Sequence, residues 1–296
     1  MQAGIPQVRK NLKCFTKKVL ILFMVSVIFH LLIKGPAFAL NLGLIEPAAL
    51  NQNLPGWVIL DARPKSEWTA GHIPGALSFS WENYTRIDKN GVPYKVWPPK
   101  ELAAELGKMG IDDNTPVVVY GDADKSWGGE GWDCWVLSWL GHKGPIRLLA
   151  GGVQAWRNNK LPFSQDMEQR KIYPRQYKNK PEPTLDITTS DLERQKSDLI
   201  LIDTRSTLEW LKGRIPGAVH IPWDDFFSGK ERRPISPDAL KKLLRTHGVD
   251  FSKPIVYYCT GGIRSAYAWL IHQLSDLPTA RNYEGGFEEW KRLSHK

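Results

Sequence analysis

Apolar positions along this chain fall into three patterns. The first is one unbroken run, "VLILFMVSVIFHLLI" from Val19 to Ile33, set behind Lys17-Lys18 and followed by "KGPAFA". The second is a set of short runs bounded by Asp, Gly or Pro: "WVILDAR" (57–63), "PVVVY" (116–120), "LILIDTR" (199–205) and "PIVYY" (254–258). Runs this short, rich in Val and Ile, predict buried strands. The third has apolar residues at helical spacing: "KELAAELGKMG" (100–110), "GWDCWVLSWLG" (131–141), "SPDALKKLLRTHG" (236–248) and "SAYAWLIHQLS" (265–275). Ser236-Pro237 supplies an N-cap and a first-turn residue, and Gly248 a stop. Strands alternate with helices, which predicts an α/β fold: mostly parallel sheets flanked by helices on both faces.

The pattern occurs twice. "DARPKSEWTAGHIPGALSFSWENY" from Asp61 lies over "DTRSTLEWLKGRIPGAVHIPWDDF" from Asp203, 142 residues later. "TPVVVYGDAD" from Thr115 lies over "KPIVYYCTGG" from Lys253, and "GGVQAW" from Gly151 over "GGFEEW" from Gly285. Three blocks in one order indicate a duplicated domain, since a period this long is not a solenoid repeat. The expected organisation is an N-terminal segment (1–39), a first domain (40–159), a linker (160–184) and a second domain (185–296). The linker is assigned to the polar, proline-bearing stretch that ends in "KNKPEPTLD".

Charge changes the picture only at the N-terminus. The chain has 296 residues and a formal net charge of +9, but residues 1–39 hold six Lys/Arg and no acid. The rest is close to balanced, with no basic stripe interleaved with aromatics, so no nucleic-acid partner is expected. A charged start, a 15-residue apolar run and Ala37-x-Ala39 read as a secretory signal. Export across the inner membrane, to a periplasm or equivalent lumen, follows. A short uncleaved anchor is the alternative, and membrane contact is expected only through this segment. Cys134 and Cys259 are the only cysteines after the signal, too few for a disulfide framework. No Cys/His spacing suggests a metal, and no cofactor is expected.

Candidate chemistry centres on "YYCTGGIRS". The run "PIVYY" places Cys259 at the carboxyl end of a central strand, the edge where open α/β sheets bind ligands. Gly261 and Gly262 let the loop curl so that successive N–H groups point inward, and a helix starting near Ser265 adds its positive end. The result is an anion cradle around sulfur, a setting that lowers a thiol from its usual pKa near ~8.5 toward the nucleophilic thiolate. Two chemistries use such a thiolate: phosphate-ester hydrolysis through a phosphocysteine, and sulfur transfer through a persulfide. Four residues separate Cys259 from Arg264. Cysteine phosphatases place five between the two, so the shorter loop suits a single added sulfur atom.

On "DTR…EW…GRIPGA", "YYCTGGIRS" and "YEGGFEEW", the chain resembles the tandem-domain rhodanese family, the thiosulfate and 3-mercaptopyruvate sulfurtransferases. The resemblance covers nearly all of the chain after the signal. It implies two rhodanese-like domains, each built on a five-stranded parallel sheet, with the first catalytically inert: Gly121 stands where Cys259 would be. It further implies a Cys259 nucleophile, persulfide and substrate binding by Thr260, Gly261, Gly262, Ile263, Arg264 and Ser265, and structural support from Asp203, Arg205 and Glu209. The partners would be a small anionic sulfur donor and a thiol or cyanide acceptor. The loop departs from both familiar types, with Thr260 and Gly261 just after the cysteine and one cation at Arg264. That single cation leans the donor toward thiosulfate, with mercaptopyruvate as the alternative and a persulfide-binding module that does not turn over as another.

Other residues have plainer expectations. Cys134 lies among apolar neighbours at helical spacing and reads as core. Asp61, Arg63 and Glu67 repeat Asp203, Arg205 and Glu209 in the inert copy, which argues for scaffolding. His72 has Arg214 as its counterpart, which argues against a catalytic base. Trp127, Trp132 and the acids Asp122, Asp124 and Glu130 are expected to shape an interdomain cleft. Lys230, Arg232 and Arg233 are either solvated or line that cleft. A monomer is expected, because the duplication already supplies the partner domain.

Overall fold

A computed structural model describes residues 40–166 and 172–293. The N-terminal signal assigned to residues 1–39 therefore lies outside the described residues. Among the described residues no helix is long and apolar enough to cross a membrane.

The first domain is built on five strands: β1 (Leu42–Ile45), β2 (Val58–Asp61), β3 (Leu77–Ser78), β4 (Val117–Tyr120) and β5 (Ile146–Leu149). They run in the order β1-β5-β4-β2-β3, every pairing parallel. All four residues of β2 and of β4 are buried, so both sheet faces are covered, as parallel sheets require. One core packs Leu50, Val153 and Trp156 against Ile59, Val118 and Leu149. These join helices α1 (Pro47–Gln52) and α5 (Gly152–Asn158) to the sheet. Between them in sequence lie α2 (Lys65–Ala70), α3 (Pro99–Lys108) and α4 (Gly129–Trp139).

The second domain repeats the plan with β6 (Ile200–Asp203), β7 (Val219–His220), β8 (Ile255–Tyr258) and β9 (Arg281–Asn282), again all parallel, in the order β9-β8-β6-β7. Its helices are α6 (Thr189–Gln195), α7 (Thr207–Leu211), α8 (Pro237–Thr246), α9 (Ile263–Gln273) and α10 (Gly286–Leu293). Four described strands stand where the resemblance implied five. At the edge where β1 lies in the first domain, the second has a 3-10 turn at Pro183–Leu185. The Glu284 N–H just past β9 is taken by the Asp186 side chain at 3.1 Å. Pro183 has no N–H to give to a ladder.

The polar stretch assigned as a linker is tied to the first domain wherever it is described. Arg175 N–H donates to the Gly107 carbonyl, and Lys180 and Glu182 N–H donate to Leu140 and Trp139 carbonyls. Tyr177 is buried, its hydroxyl 3.1 Å from His142 Nδ1. One tyrosine ring with a satisfied hydroxyl is enough to anchor an otherwise polar strap.

The two domains meet chiefly through α4 and α9, the helices that follow the two equivalent loops. Their approach is closer than ordinary side chains permit. A Cβ added at Gly131 would lie 2.3 Å from Tyr267 Cα, and one at Gly128 would lie 3.2 Å from Tyr267 Cβ. Ala favours a helix over Gly by about 1 kcal/mol, but overpacking against backbone costs about 1–3 kcal/mol or more, and here it wins. Gly131→Ala should therefore lower the thermal midpoint, by about 2–4 °C per kcal/mol for domains of this size. A midpoint unchanged or raised in a thermal melt would show that the helices do not touch in this way.

Candidate active site

Cys259 follows β8 directly, and four residues, Cys259–Gly262, link that strand to α9. The helix begins at Ile263, two residues earlier than the sequence pattern suggested, because Gly262 caps it in the left-handed region at φ 81°. Arg264 therefore sits in the first helical turn rather than in the loop. A side chain is excluded at both glycines: a Cβ at Gly262 would meet the Glu284 carbonyl at 2.6 Å, and one at Gly261 would meet Tyr94 Cβ at 2.6 Å.

The carbonyls of Cys259 and Thr260 accept from Phe287 N–H (2.8 Å) and Glu288 N–H (3.1 Å) in the first turn of α10. In a trans peptide the N–H points opposite to the carbonyl. Pinning these two carbonyls to α10 therefore turns the Thr260 and Gly261 N–H groups the other way. The N–H groups of Thr260, Gly261 and Gly262 donate to no acceptor among the described residues. The first-turn N–H groups of α9 add free donors and positive dipole. Unused N–H groups of this loop and of the helix start, beside one thiol, form a site for a negative charge.

Cys259 is only 1% exposed and opens on a cleft of about 330 Å³. Its second-domain walls are Glu209, Thr260, Gly261, Ile263 and Arg264; its first-domain walls are Trp81, Tyr94 and Trp127. Gly262 and Ser265 do not line it. Ser265 Oγ is turned to Asn282 Oδ1 at 2.7 Å, and Asn282 Nδ2 donates to the Gly262 carbonyl at 3.0 Å, so Ser265 braces the loop from behind.

Arg264 is not a free cation. Its two terminal nitrogens meet the two oxygens of Glu209 at 2.7 Å each, and Nη2 also donates to Thr260 Oγ1 at 2.8 Å. Glu209 further accepts from Thr260 Oγ1 (2.8 Å) and from Ser206 Oγ (2.7 Å). Burial pushes Glu209 up, but the hydrogen bonds from Arg264 and Ser206 outweigh it and hold the carboxyl well below its usual range. Burial likewise opposes the charge on Arg264, and Glu209 with Cys259 holds the guanidinium above its usual range.

Asp203 and Arg205 lie beneath this site and do not line the cleft. Arg205 Nη2 bonds Asp203 Oδ2 at 2.6 Å and the Gly213 carbonyl at 2.7 Å, with the Tyr258 hydroxyl receiving Ile215 N–H at 3.2 Å. Asp61, Arg63, Gly71, Tyr120 and Ile73 repeat the arrangement at 2.6, 2.7 and 3.2 Å. In both domains the motif pins the strand end to the Gly-x-Ile-Pro-Gly-Ala turn.

In the first domain the equivalent loop, Gly121–Gly128, is twice as long. Glu130, at the helix position of Arg264, turns back into its own loop. A Cβ at Gly121 would lie 2.1 Å from Glu130 Oε2 and 2.7 Å from Ser126 Oγ. The first domain thus carries a carboxylate where the second domain carries sulfur. Burial pushes Glu130 up to about 6, against hydrogen bonds from its own backbone and from Ser126. Glu67, the counterpart of Glu209, pairs with Lys125 at 2.7 Å.

Several expectations are corrected. Asp122 and Glu130 close their own loop, Asp122 accepting from Gln154 at 3.1 Å, and neither faces Cys259. Trp132 is fully buried and packs near Phe79 rather than on the cleft; Trp127 does line it. Arg232 and Arg233 also miss the cleft. Arg233 pairs with Glu46 and Glu231, and Arg232 pairs with Asp224 and lies beside Gly121 and Glu130. Cys134 is buried and both described cysteines are free. Sequence reasoning missed Trp81 and Tyr94. Tyr94 is set by the ribbon Thr85–Arg86/Lys95–Val96, which reaches across to the second domain: Lys95 pairs with Glu284 and, at 2.6 Å, with Glu289. The only signal was alignment, since Tyr94-Lys95 falls opposite Arg232-Arg233, the pair already singled out in the other copy.

Comparison with known proteins agrees with this geometry. A family model described as "Rhodanese-like domain" matches residues 46–159 and 188–293. A human protein named 3-mercaptopyruvate sulfurtransferase is 29% identical over 244 residues, covering 78% of this chain and 80% of its own. The sulfur carrier protein TtuD of Thermus thermophilus is 27% identical over 263 residues, covering 76% and 84%. The crystal structure of SseA from Escherichia coli superposes with a TM-score of 0.72 at 22% identity, over 82% of this chain and 98% of that one.

The Glu209 geometry gives a pH signature. A carboxylate held below its unfolded pKa of about 4.3 contributes stability above that pH and loses it as pH falls toward the folded value. The thermal midpoint of Glu209→Gln should therefore lie below the parent protein's between pH 5 and 8, with the gap closing below pH ~4. A gap of equal size at pH 3 and pH 7 would show that the charge of Glu209 stabilises nothing.

Proposed function

The chain belongs to the rhodanese family, with one rhodanese-like domain in each half, and from that premise we propose that it is a sulfurtransferase carrying sulfane sulfur as a persulfide on Cys259. The observation that carries this reading is the cradle of unused N–H groups at Thr260, Gly261 and Gly262 around a free, cleft-facing thiol. In the first half-reaction the Cys259 thiolate attacks the outer sulfur of the donor. A new S–S bond forms on Cys259, and the donor's own bond to that sulfur breaks. With thiosulfate, sulfite leaves with the electron pair. The persulfide's negative outer sulfur then faces the loop N–H donors, which are fixed before the reaction and need no reorganisation. In the second half-reaction a nucleophilic acceptor takes the outer sulfur and returns the thiolate.

Thiosulfate is the first reading for the donor, because its oxyanion end matches convergent N–H donors beside Arg264. 3-Mercaptopyruvate is the second, favoured by the name of the human relative. The pairing of Arg264 with Glu209 also favours it, since that pairing leaves little net positive charge for a dianion. In the same proposal the N-terminal segment directs the protein across the inner membrane, and it works there as a monomer.

Intact mass after incubation with thiosulfate should rise by about 32 Da, one sulfur atom, and fall back on adding cyanide. Cys259→Ser should show no gain, and a gain in that variant overturns the assignment. An adduct with mercaptopyruvate but not thiosulfate selects the second donor. A single uptake with no turnover would make the protein a carrier rather than an enzyme.

A further inference from the structure

The cleft at Cys259 is larger than a small inorganic donor needs. Its volume, about 330 Å³, falls in the range of small organic-ligand sites. The space beyond the cradle is walled by three rings from the first domain, Trp81, Tyr94 and Trp127.

Two of these rings are held in place at a cost. Among the described residues four non-glycines have positive φ, and two of them are Tyr94 (65°) and Trp127 (55°). A bulky side chain in that region costs on the order of 1 kcal/mol or more. Tyr94 backs directly on Gly261, and the Val96 N–H two residues on is fixed by Glu284 at 2.7 Å. Trp81 meets Tyr94 edge-on, centroids 5.9 Å apart, and its Nε1 donates to the Ser126 carbonyl at 3.2 Å, immediately before Trp127. Despite this anchoring, Trp127 is 54% and Tyr94 38% exposed. Aromatic side chains on strained backbone, still largely exposed with only the Arg264 guanidinium set over the Trp127 ring (6.0 Å from its centroid) and lining the same cleft as a reactive thiol, are placed for a ligand.

The walls also define the ligand's chemistry. Arg264 and Glu209 cancel, so the charge left on the described lining is that of the Cys259 thiolate or persulfide itself. Aromatic faces are electron-rich, which disfavours a bare anion and favours stacking with another flat ring. We propose that Trp81, Tyr94 and Trp127 form an acceptor subsite for an organic thiol on a planar aromatic body. The proposal rests on the Cys259 persulfide reading above. In the step it describes, the acceptor thiolate attacks the outer sulfur of the Cys259 persulfide. The acceptor's new S–S bond forms as the Cys259 S–S bond breaks, and Cys259 leaves as thiolate. An aromatic persulfide is the product, and no outside oxidant or reductant is required.

The test uses the full chain loaded with thiosulfate or mercaptopyruvate, freed of donor, and checked by intact mass. Single-turnover rate constants are then measured with benzenethiol and with 2-mercaptoethanol. Their ratio within one protein cancels the donor step. The ratio should fall about fivefold to tenfold in Trp127→Ala, a stacking contribution of the usual size. It should fall comparably in Trp127→Leu, which keeps apolar bulk but no ring; Trp127 is exposed, so neither variant threatens the core. An unchanged ratio in both variants overturns the subsite. A ratio restored by Leu overturns the planar requirement. A protein thiol used far faster than benzenethiol, with no loss in either variant, overturns the small-molecule occupant. Failure to load sulfur at all is seen first, in the mass, and counts against the persulfide reading instead.

Discussion

The contact between α4 and α9 is what the rest of this molecule depends on. Each helix follows the loop that matters in its own domain, and the two lie close enough that Gly131 has no room for a methyl group against Tyr267 Cα. That closeness brings each domain's short ribbon over the other domain's loop. The ribbon ending at Lys95–Val96 puts Tyr94 on Gly261, and the one ending at Arg233–Pro234 puts Arg232 beside Gly121 and Glu130. A cleft made this way has one wall from each domain. A duplicated domain standing alone would leave Cys259 on an open sheet edge, with solvent where the aromatic wall is.

The two loops show how one scaffold can leave the ring open or fill it. The buried Asp-Arg-Tyr brace is the same in both, down to the 2.6 and 2.7 Å bonds of each arginine. The difference lies in what fills the ring. In the first domain a longer loop lets Glu130 fold back to the position of the missing sulfur, so the anion site is occupied from within. In the second domain the same helix position holds Arg264, whose length carries it out to Glu209 and leaves the ring open. An internal carboxylate held there competes with an external anion as an intramolecular ligand. The two copies therefore differ at two matched places, Gly121 against Cys259 and Glu130 against Arg264.

Much of this was legible in the sequence, and the boundary has a physical reason. The strands, the duplication, the place of Cys259 at a strand end and the scaffolding role of the Asp-x-Arg motif all follow from local pattern or from one copy read against the other. The Glu209–Arg264 pair spans 55 residues and closes only when α7 and α9 share an edge. Trp81 and Tyr94 reach the cleft from the other domain, so nothing near Cys259 in sequence points to them. Composition misled where polarity was taken for solvent exposure. The 172–182 strap holds a buried tyrosine, and Arg232 lies by the first domain's Gly121 loop instead of the thiol. The fifth strand of the second domain failed for a local reason, a proline-led 3-10 turn at the sheet edge.

The pairing of Arg264 also changes how an anion must be held. A lone guanidinium acts as a full charge over several ångströms, whereas a guanidinium locked bidentate to a carboxylate acts as a dipole whose field falls off faster. What remains next to Cys259 is the set of backbone N–H groups fixed by α10 through the carbonyls of Cys259 and Thr260. Such donors work at contact distance, suit a charge that appears on one sulfur atom, and depend little on ionic strength because they carry no net charge. A cradle of dipoles beside a neutralised cation is selective for the position of a charge more than for its size. On that basis the loop suits a negative charge on one sulfur atom, as the proposed persulfide carries, and the aromatic wall supplied by the first domain borders the rest of the cleft.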